Sequence, residues 1–363
     1  MQEIKVEVKV KVRPRSYRLI IGRHLFEQLA QSLQTEPLGS RYAIISDTTV
    51  APLWAPKLQE ALEKRGLMAE VFTFPAGEVY KTRETKQQLE DQLLQAGYGR
   101  DTAILALGGG VVGDVAGYVA ATYMRGVPVV QIPTTTLSMS DSSIGGKTGV
   151  DTPYGKNLIG AFHHPVEVYM DMETLTTLDE RNYKAGLAEL VKHGFIQDLT
   201  ILDFVEDHKE AIENRDAKVL EELFEKNCQV KNYVVSMDDQ ERGLRQILNY
   251  GHTMGHAVEV LSGFDLIHGE CVSIGIGFAA ALAEMKGLCT AEWAQRQRSI
   301  LEGLGLPVDF PATLAKEDLI RLMKMDKKAR QGKIQFVLPT APGQVEFGVS
   351  VSEEEIGACL EKM

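Results

Sequence analysis

The sequence predicts an α/β N-terminal domain on a mostly parallel sheet, joined to a mainly α-helical C-terminal domain, as residues 1–178 and 179–363. Three observations carry this. Continuous apolar runs such as Thr102–Leu107 and Val127–Ile132 alternate with amphipathic stretches in the first half, as strands do in a parallel sheet covered by helices on both faces. From about Leu178 onward the apolar residues recur at helical spacing almost throughout. And 363 residues, 44% apolar and 25% charged, suffice for two domains with substantial cores.

The elements follow in order. Ile4, Val6, Val8, Val10 and Val12 alternate with charged residues, which predicts a half-buried strand with Tyr17–Ile21 as its hairpin partner. Then come strand Tyr42–Ser46, an amphipathic helix over Ala55–Arg65, strand Ala69–Phe74, a helix over Thr82–Ala96 and strand Thr102–Leu107. Gly-rich residues 108–117 lead into a small-residue helix, Val115–Thr122, and the buried strand Val127–Ile132. In the second half, helices are predicted over Asn182–Phe195, Leu199–Glu213, Ala217–Met237, Ile247–Leu261, Glu270–Met285, Ala291–Leu304 and Lys316–Lys324. A strand pair, Ile334–Leu338 and Gln344–Gly348, closes across the turn Ala341-Pro342-Gly343.

A net charge of −11 argues against nucleic-acid binding, which needs a basic surplus. The N-terminal residues show no apolar signal-peptide core, and the longest apolar stretch, Cys271 to Ala283, is too short and Gly-rich to span a bilayer. The four cysteines, Cys228, Cys271, Cys289 and Cys359, show no CxxC spacing. The expectation is a soluble cytoplasmic protein with no membrane or nucleic-acid partner.

Two glycine-rich segments invite a phosphate reading. Gly108-Gly109-Gly110-Val111-Val112-Gly113-Asp114 satisfies GxGxxG between a strand and a helix, where backbone amides can approach a pyrophosphate. The acid expected about 20 residues later to hold a ribose is missing from Gly126–Thr136. A dinucleotide bound in a non-standard mode and a tight turn with close helix–strand packing therefore both stand. Ile144-Gly145-Gly146-Lys147-Thr148 is not a P-loop, because Asp141 stands where its first glycine belongs.

The densest chemistry lies in Asn249-Tyr250-Gly251-His252-Thr253-Met254-Gly255-His256-Ala257-Val258-Glu259, followed by His268-Gly269-Glu270. His252 and His256, at i and i+4, share a helix face within reach of one metal ion or one substrate. Thr253 replaces the glutamate of HExxH, which disfavours a metalloprotease. His252, His256, His268, Glu259, Glu270 and Glu189 are all metal-ligand candidates by type, and spacing does not choose among them. Arg125, Lys147, Lys156, Lys192, Lys231 and Arg245 read singly as surface charges. Together, in an acidic chain, they imply a focused positive cleft for an anionic small molecule.

These segments together resemble the 3-dehydroquinate synthase family of sugar-phosphate cyclases, from about Asp47 to the Asp326-Lys327-Lys328 region. The resemblance rests on Gly-Gly-Gly-Val-Val-Gly-Asp-Val-Ala-Gly (108–117), Pro-Thr-Thr-Thr-Leu (133–137), Asp-Ser-Ser-Ile-Gly-Gly-Lys-Thr-Gly (141–149), Gly-Lys-Asn-Leu-Ile-Gly (155–160), Gly-Leu-Ala-Glu-Leu-Val-Lys-His-Gly (186–194) and the histidine segment. It implies an N-terminal NAD-binding domain and the reaction of 3-deoxy-D-arabino-heptulosonate 7-phosphate to 3-dehydroquinate and phosphate. The steps are oxidation of a ring hydroxyl by NAD+, phosphate elimination, re-reduction, ring opening and an intramolecular aldol closure.

Residue by residue, the resemblance implies that Glu189, His252 and His268 hold Zn2+, with Co2+ an alternative. NAD would lie on Asp47, Gly77, Glu78, Val79, Tyr80, Lys81, Gly109, Gly110, Val111, Val112, Gly113, Asp114, Thr134, Thr135, Lys147, Lys156, Thr174, Leu175, Thr176 and Thr177. The substrate would meet Arg125, Asp141, Lys147, Asn157, Lys192, Lys231, Arg245 and Asn249, and either Lys327 or Lys328. Catalysis would fall to His256, with Glu241, Lys192 and Asn249; Glu241 also reads as a solvated loop charge. The family's counterpart of Arg125 reaches the neighbouring subunit, implying a homodimer. The competing functions are another cyclase of the same fold, a metal-dependent polyol dehydrogenase and a non-enzymatic binding module.

Overall fold

The computed structural model describes residues 16–238, 241, 243–263, 265–325 and 334–362. The strand expected over Ile4–Val12 lies outside the described residues, as do Lys327 and Lys328.

The N-terminal half runs β1 (Arg18–Gly22), α1 (Phe26–Thr35), β2 (Arg41–Asp47), α2 (Ala51–Glu63), β3 (Met68–Phe74), α3 (Arg83–Gln95), β4 (Thr102–Gly108), α4 (Gly110–Thr122), β5 (Val129–Pro133), β6 (Lys147–Thr152), β7 (Gly155–Phe162) and β8 (Glu167–Asp171). Six of these strands form one sheet of order β1-β8-β5-β4-β2-β3, every pairing parallel. The interior strands β4, β5 and β8 are buried along their whole length, and burial on both faces is why β4 and β5 read as mostly apolar runs. Alternate residues of β2 serve opposite faces: Tyr42 and Ile44 pack under α1 and α2, Ala43 and Ile45 under α3 and α4.

The second half runs α5 (Glu180–Ile196), α6 (Leu199–Asp207), α7 (Lys209–Glu213), α8 (Ala217–Met237), α9 (His252–Leu261), α10 (His268–Met285), α11 (Ala291–Gly303), α12 (Lys316–Met325), the antiparallel pair β9 (Ile334–Ala341) and β10 (Gln344–Val351), and α13 (Glu353–Leu360). Side-chain caps mark several starts. Thr82 accepts from the Thr85 amide before α3, Asp179 from Asn182 before α5, and Asp216 from Lys218 and Val219 before α8. The helical core takes in Val168, Met170 and Met172 from the end of the sheet. No described helix is long and apolar enough to cross a membrane.

β1 pairs with β8 in parallel, Arg18 opposite Glu167, and the hairpin partner expected for it lies outside the described residues. Three expectations are corrected. The helix after β4 begins at Gly110, five residues before Val115, so the glycine run is the helix's own first turn. The stretch Leu199–Glu213 breaks at His208 into α6 and α7. Ile247–Leu261 is also discontinuous: a 3-10 segment, Leu244–Asn249, ends before left-handed Gly251 and α9 begins at His252. α1, the β6–β7 hairpin, β8 and α13 have no counterpart among the predicted elements.

The Gly251 break has a packing cause. Gly251 sits at φ +81, and a Cβ there would meet the Val272 carbonyl of α10 at 2.8 Å. In return, a Cβ on Gly275 would lie 1.9 Å from the Gly251 carbonyl oxygen, far inside van der Waals contact. Helices α9 and α10 therefore cross backbone to backbone. Gly275→Ala is expected to destabilise the fold by about 1–3 kcal/mol or more, read as a lowered thermal midpoint. An unchanged midpoint would refute this close crossing.

Candidate active site

Two helix starts and one helix interior bring the metal-ligand candidates together. His252 and His268 are the first residues of α9 and α10, and Glu189 lies in the middle of α5 with no exposed surface. His252 Nε2 is 3.2 Å and His268 Nε2 3.4 Å from Glu189 Oε1. One ligand atom from each of the three lies within 4.8 Å of the others, the only such group of three among the described residues. Neither Glu189 oxygen accepts a well-directed hydrogen bond, although both are buried. A carboxylate and two imidazoles converging in this way fit a divalent cation with a further position open for a ligand.

Both histidines are oriented from behind. The Nδ1 of His252 lies 3.1 Å from the Tyr250 carbonyl, and that of His268 3.6 Å from Glu259 Oε2. Fixing one ring nitrogen in this way leaves the other facing Glu189, as metal-ligating histidines are commonly held. His256 stands apart from the donor set, its ring edge-on to His252 at 5.2 Å and 6.0 Å from His268.

A chain of opposite charges extends the site. Lys192 contacts Glu189 Oε2. Glu259 Oε1 accepts from Lys156 Nζ at 2.8 Å, and Lys156 also meets Glu78 at 2.9 Å. Lys81, buried, binds Asp114 at 2.5 Å and donates to Asn157 Oδ1 at 2.7 Å. On the other side Lys231 binds Asp141 Oδ1 at 2.7 Å and also the Asp141 carbonyl. Arg245 donates to the Gly145 carbonyl at 3.3 Å. Glu241 accepts from Lys147 and from Asn249, so the acid that could have been a solvated loop charge is tied into the cluster.

Burial opposes ionisation of these acids, and adjacent cations reverse it. Burial would raise the Glu189 pKa, but Lys192 and His252 hold it well below the usual carboxylate range. Asp141 is likewise held low by Lys231 and Lys192 against burial. Burial lowers the Lys231 ammonium, and Asp141 only partly offsets this. Burial also raises the Glu259 carboxyl less than His268 and Lys156 lower it, leaving it at about 2. His268 is pushed up to about 9, because the adjacent Glu189 and Glu259 carboxylates outweigh burial, whereas burial leaves His252 below its usual value.

The residues expected to hold a dinucleotide line the C-terminal ends of the strands. Asp47 ends β2, its Oδ1 accepting from the amides of Thr49 and Val50 at 2.8 Å each. Left-handed Gly77 enters a 3-10 turn, Glu78–Tyr80, with Val79 and Tyr80 exposed. Gly109 precedes α4, while Gly110, Val111, Val112, Gly113 and Asp114 form its opening, where backbone amides lack intrahelical partners. Thr134 and Thr135 follow β5, and the Thr134 hydroxyl is buried with no hydrogen-bond partner. This cradle and orphaned hydroxyl fit a phosphate-bearing cofactor. Gly113 also has the packing role, since a Cβ there would sit 2.9 Å from Gln131 Oε1. Thr174, Leu175, Thr176 and Thr177 lie in the 3-10 segment Met172–Thr177, where Thr177 Oγ1 accepts from Trp54 Nε1 at 2.8 Å. The side chains of Val112 and Leu175 are core residues, which leaves only their backbone for a ligand.

Arg125 is exposed and is not joined to this cluster by any hydrogen bond or ion pair. Met124 and Arg125 both have left-handed backbones, φ 51 and φ 71, a strained pair at the end of α4. Asp151, which accepts from the Asn157 amide at 2.8 Å, and the buried His193–Asn227 pair, 2.6 Å, were not foreseen. Glu259 was foreseen only by residue type, although it lies seven residues after His252 on the same helix face.

Residues 71–185 match the family described as 3-dehydroquinate synthase N-terminal, and residues 186–329 the family described as 3-dehydroquinate synthase C-terminal. A relative from Thermoanaerobacter sp., named 3-dehydroquinate synthase, is 43% identical over 350 residues, 96% of this chain and 98% of its own. The fold matches 2-epi-5-epi-valiolone synthase from Streptomyces hygroscopicus subsp. jinggangensis, solved with NAD+ and Zn2+ bound, at a TM-score of 0.88 and 28% identity over 98% of this chain and 99% of that one. It equally matches 2-deoxy-scyllo-inosose synthase complexed with carbaglucose-6-phosphate, NAD+ and Co2+, at 0.88 and 28% over 96% and 97%.

With His268 near 9 and His252 already neutral at pH 7, divalent metal binding to the metal-free protein should release about one proton. Apparent affinity should rise about tenfold per pH unit up to about pH 9 and then flatten. Titration calorimetry in buffers of different ionisation enthalpy measures the proton count. Zero release at pH 7 would contradict a protonated His268.

Proposed function

This chain belongs to the 3-dehydroquinate synthase family, and we propose that it converts 3-deoxy-D-arabino-heptulosonate 7-phosphate into 3-dehydroquinate and inorganic phosphate, a carbon–oxygen lyase step of the shikimate pathway. The observation that carries the reading is the meeting of the Glu189–His252–His268 donor set with Lys192, Lys231, Arg245 and Lys147 in a chain of net charge −11. NAD and a divalent metal, Zn2+ or Co2+, are the cofactors: when bound, they would supply a reversible hydride acceptor and a Lewis acid that favours loss of a hydroxyl proton. Glu189, His252 and His268 would hold the metal. Asp47, residues 77–81, residues 109–114, Thr134, Thr135, Lys147, Lys156 and residues 174–177 would hold the dinucleotide.

The chain's own groups then divide the work. Lys231 has three donors and gives two to Asp141, which leaves a third for a substrate anion. Lys231, Arg245 and Asn249 favour a substrate carboxylate, while Lys147, Asn157 and Lys192 favour the phosphate. His256, beside the metal donors yet outside them, is placed to take or give a proton. Glu241, held by Lys147 and Asn249, is a second proton-handling group. A polyol dehydrogenase would have no use for the phosphate set, and a cyclase of substrates without a carboxylate would have none for Arg245 and Asn249.

The homodimer reading is supported by exposed Tyr154, Leu158 and Phe162 on the β6–β7 hairpin, apolar surface that a second copy would cover. His163 bonds the Val127 carbonyl at 2.9 Å, seating that hairpin beside the strained turn of Arg125. Cytoplasmic residence is supported by the four free cysteines.

Incubation with the heptulosonate phosphate, NAD+ and Zn2+ should release phosphate without net NADH. Steady NADH accumulation would replace this reading with the dehydrogenase one. His256→Ala should keep stoichiometric metal while kcat falls by about 10²–10⁴. Loss of the metal instead would move His256 into the ligand set.

A further inference from the structure

We infer that Arg181, which touches neither metal donors nor substrate groups, is a positioning residue that sets metal affinity by fixing α5 against the opening turn of α10; the inference rests on the metal reading above. Arg181, Ala185 and Glu189 are spaced at i, i+4 and i+8, so three successive turns of α5 present them on one face. That face meets three consecutive residues of α10. Arg181 binds Glu270, with Nε donating to Oε1 and Nη2 to Oε2, each at 2.7 Å. Ala185 lies against Gly269, where a Cβ would come 1.9 Å from the Ala185 carbonyl oxygen. Glu189 faces His268 at 3.4 Å. The metal pair and the arginine clamp are thus the two ends of one helix–helix contact, hinged on a glycine.

Glu270 carries the constraint to His268 through the backbone. Its Oε2 also accepts from the Ile267 amide at 3.0 Å, which fixes the chain one residue before the histidine. Arg181 Nη2 further donates to the Asp265 carbonyl at 2.6 Å, tying down the approach to α10. The Arg181 side chain is 51% exposed, so the clamp adds little to global stability. Its effect is directional, because a bidentate guanidinium–carboxylate pair fixes angle as well as distance. Metal bonds of about 2.0–2.2 Å do not survive a 1 Å slip of His268.

The test compares full-length wild type, Arg181→Ala, Arg181→Lys and Arg296→Ala by chelator competition and by the visible spectrum of bound Co2+. Arg296 clamps Asp203 and Glu206 at 2.6 Å each from α11, a matched arginine clamp remote from the donors. Arg181→Ala should weaken metal binding about 10–100-fold and shift the Co2+ bands. Arg181→Lys should recover only part of the loss, since an ammonium does not span both oxygens. Arg296→Ala should change neither reading. Wild-type affinity and spectrum in Arg181→Ala, or an equal loss in Arg296→Ala, would overturn the inference. Absence of stoichiometric metal from wild type would sink the metal reading itself, and this inference with it.

Discussion

One buried charge organises this molecule. Glu189 has no exposed surface, and an isolated carboxylate in such a place would cost several kcal/mol. It is retained because Lys192, His252 and His268 converge on it from its own helix and from the starts of two others. That convergence is possible only if the helices approach more closely than side chains ordinarily permit. Gly269 against Ala185 and Gly275 against Gly251 supply the approach. The glycines of the helical domain are thus part of the electrostatics: without them the carboxylate would face its partners across a gap in which their attraction could not offset desolvation.

The same charge joins the two halves of the chain. Behind His268 stands Glu259, then Lys156 on β7, then Glu78 after β3, so the polar network passes from the helical core to the sheet. A second link runs from Lys231 on α8 to Asp141, and a third from Glu241 to Lys147 on β6. Each pairs a residue of the helical half with one from the segment between β5 and β8. The β6–β7 hairpin is therefore the piece of the α/β half that reaches over to the site. Oxidation at a dinucleotide and acid–base work at a metal can share one substrate only if the two halves are held in register, and these ion pairs hold them.

Much of this architecture was legible. β2, β4 and β5 are apolar through most of their length, and helical spacing in the sequence falls where α3, α5 and α8 stand. What escaped notice has physical reasons. β8 carries Glu167 in a fully buried strand, and the acid is tolerated because Arg18 and Tyr169 meet it, partners that periodicity does not see. The hairpin strand β7 leaves Leu158 and Phe162 exposed, the reverse of the pattern that identifies a strand with one buried face. The break at Gly251 is imposed by the Val272 carbonyl on another helix, so local spacing read one helix where there are two segments.

The break also bears on how two histidines four residues apart come to differ. Because α9 starts at His252, that imidazole is at the helix end, where the Tyr250 carbonyl is near enough to engage Nδ1. A ligand histidine needs its second nitrogen engaged, and the preceding turn provides an oxygen for it. One turn later, His256 has the backbone of α9 beneath it and a ring perpendicular to that of His252. It shares the face but not the geometry that turns a ring toward Glu189. Had the helix run unbroken from Ile247, the Tyr250 carbonyl would have bonded the amide of Met254 and would no longer be held for His252 Nδ1 alone. Gly251 therefore does more than admit α10: it makes a helix end out of a helix interior, and so gives two identical side chains different surroundings in one site.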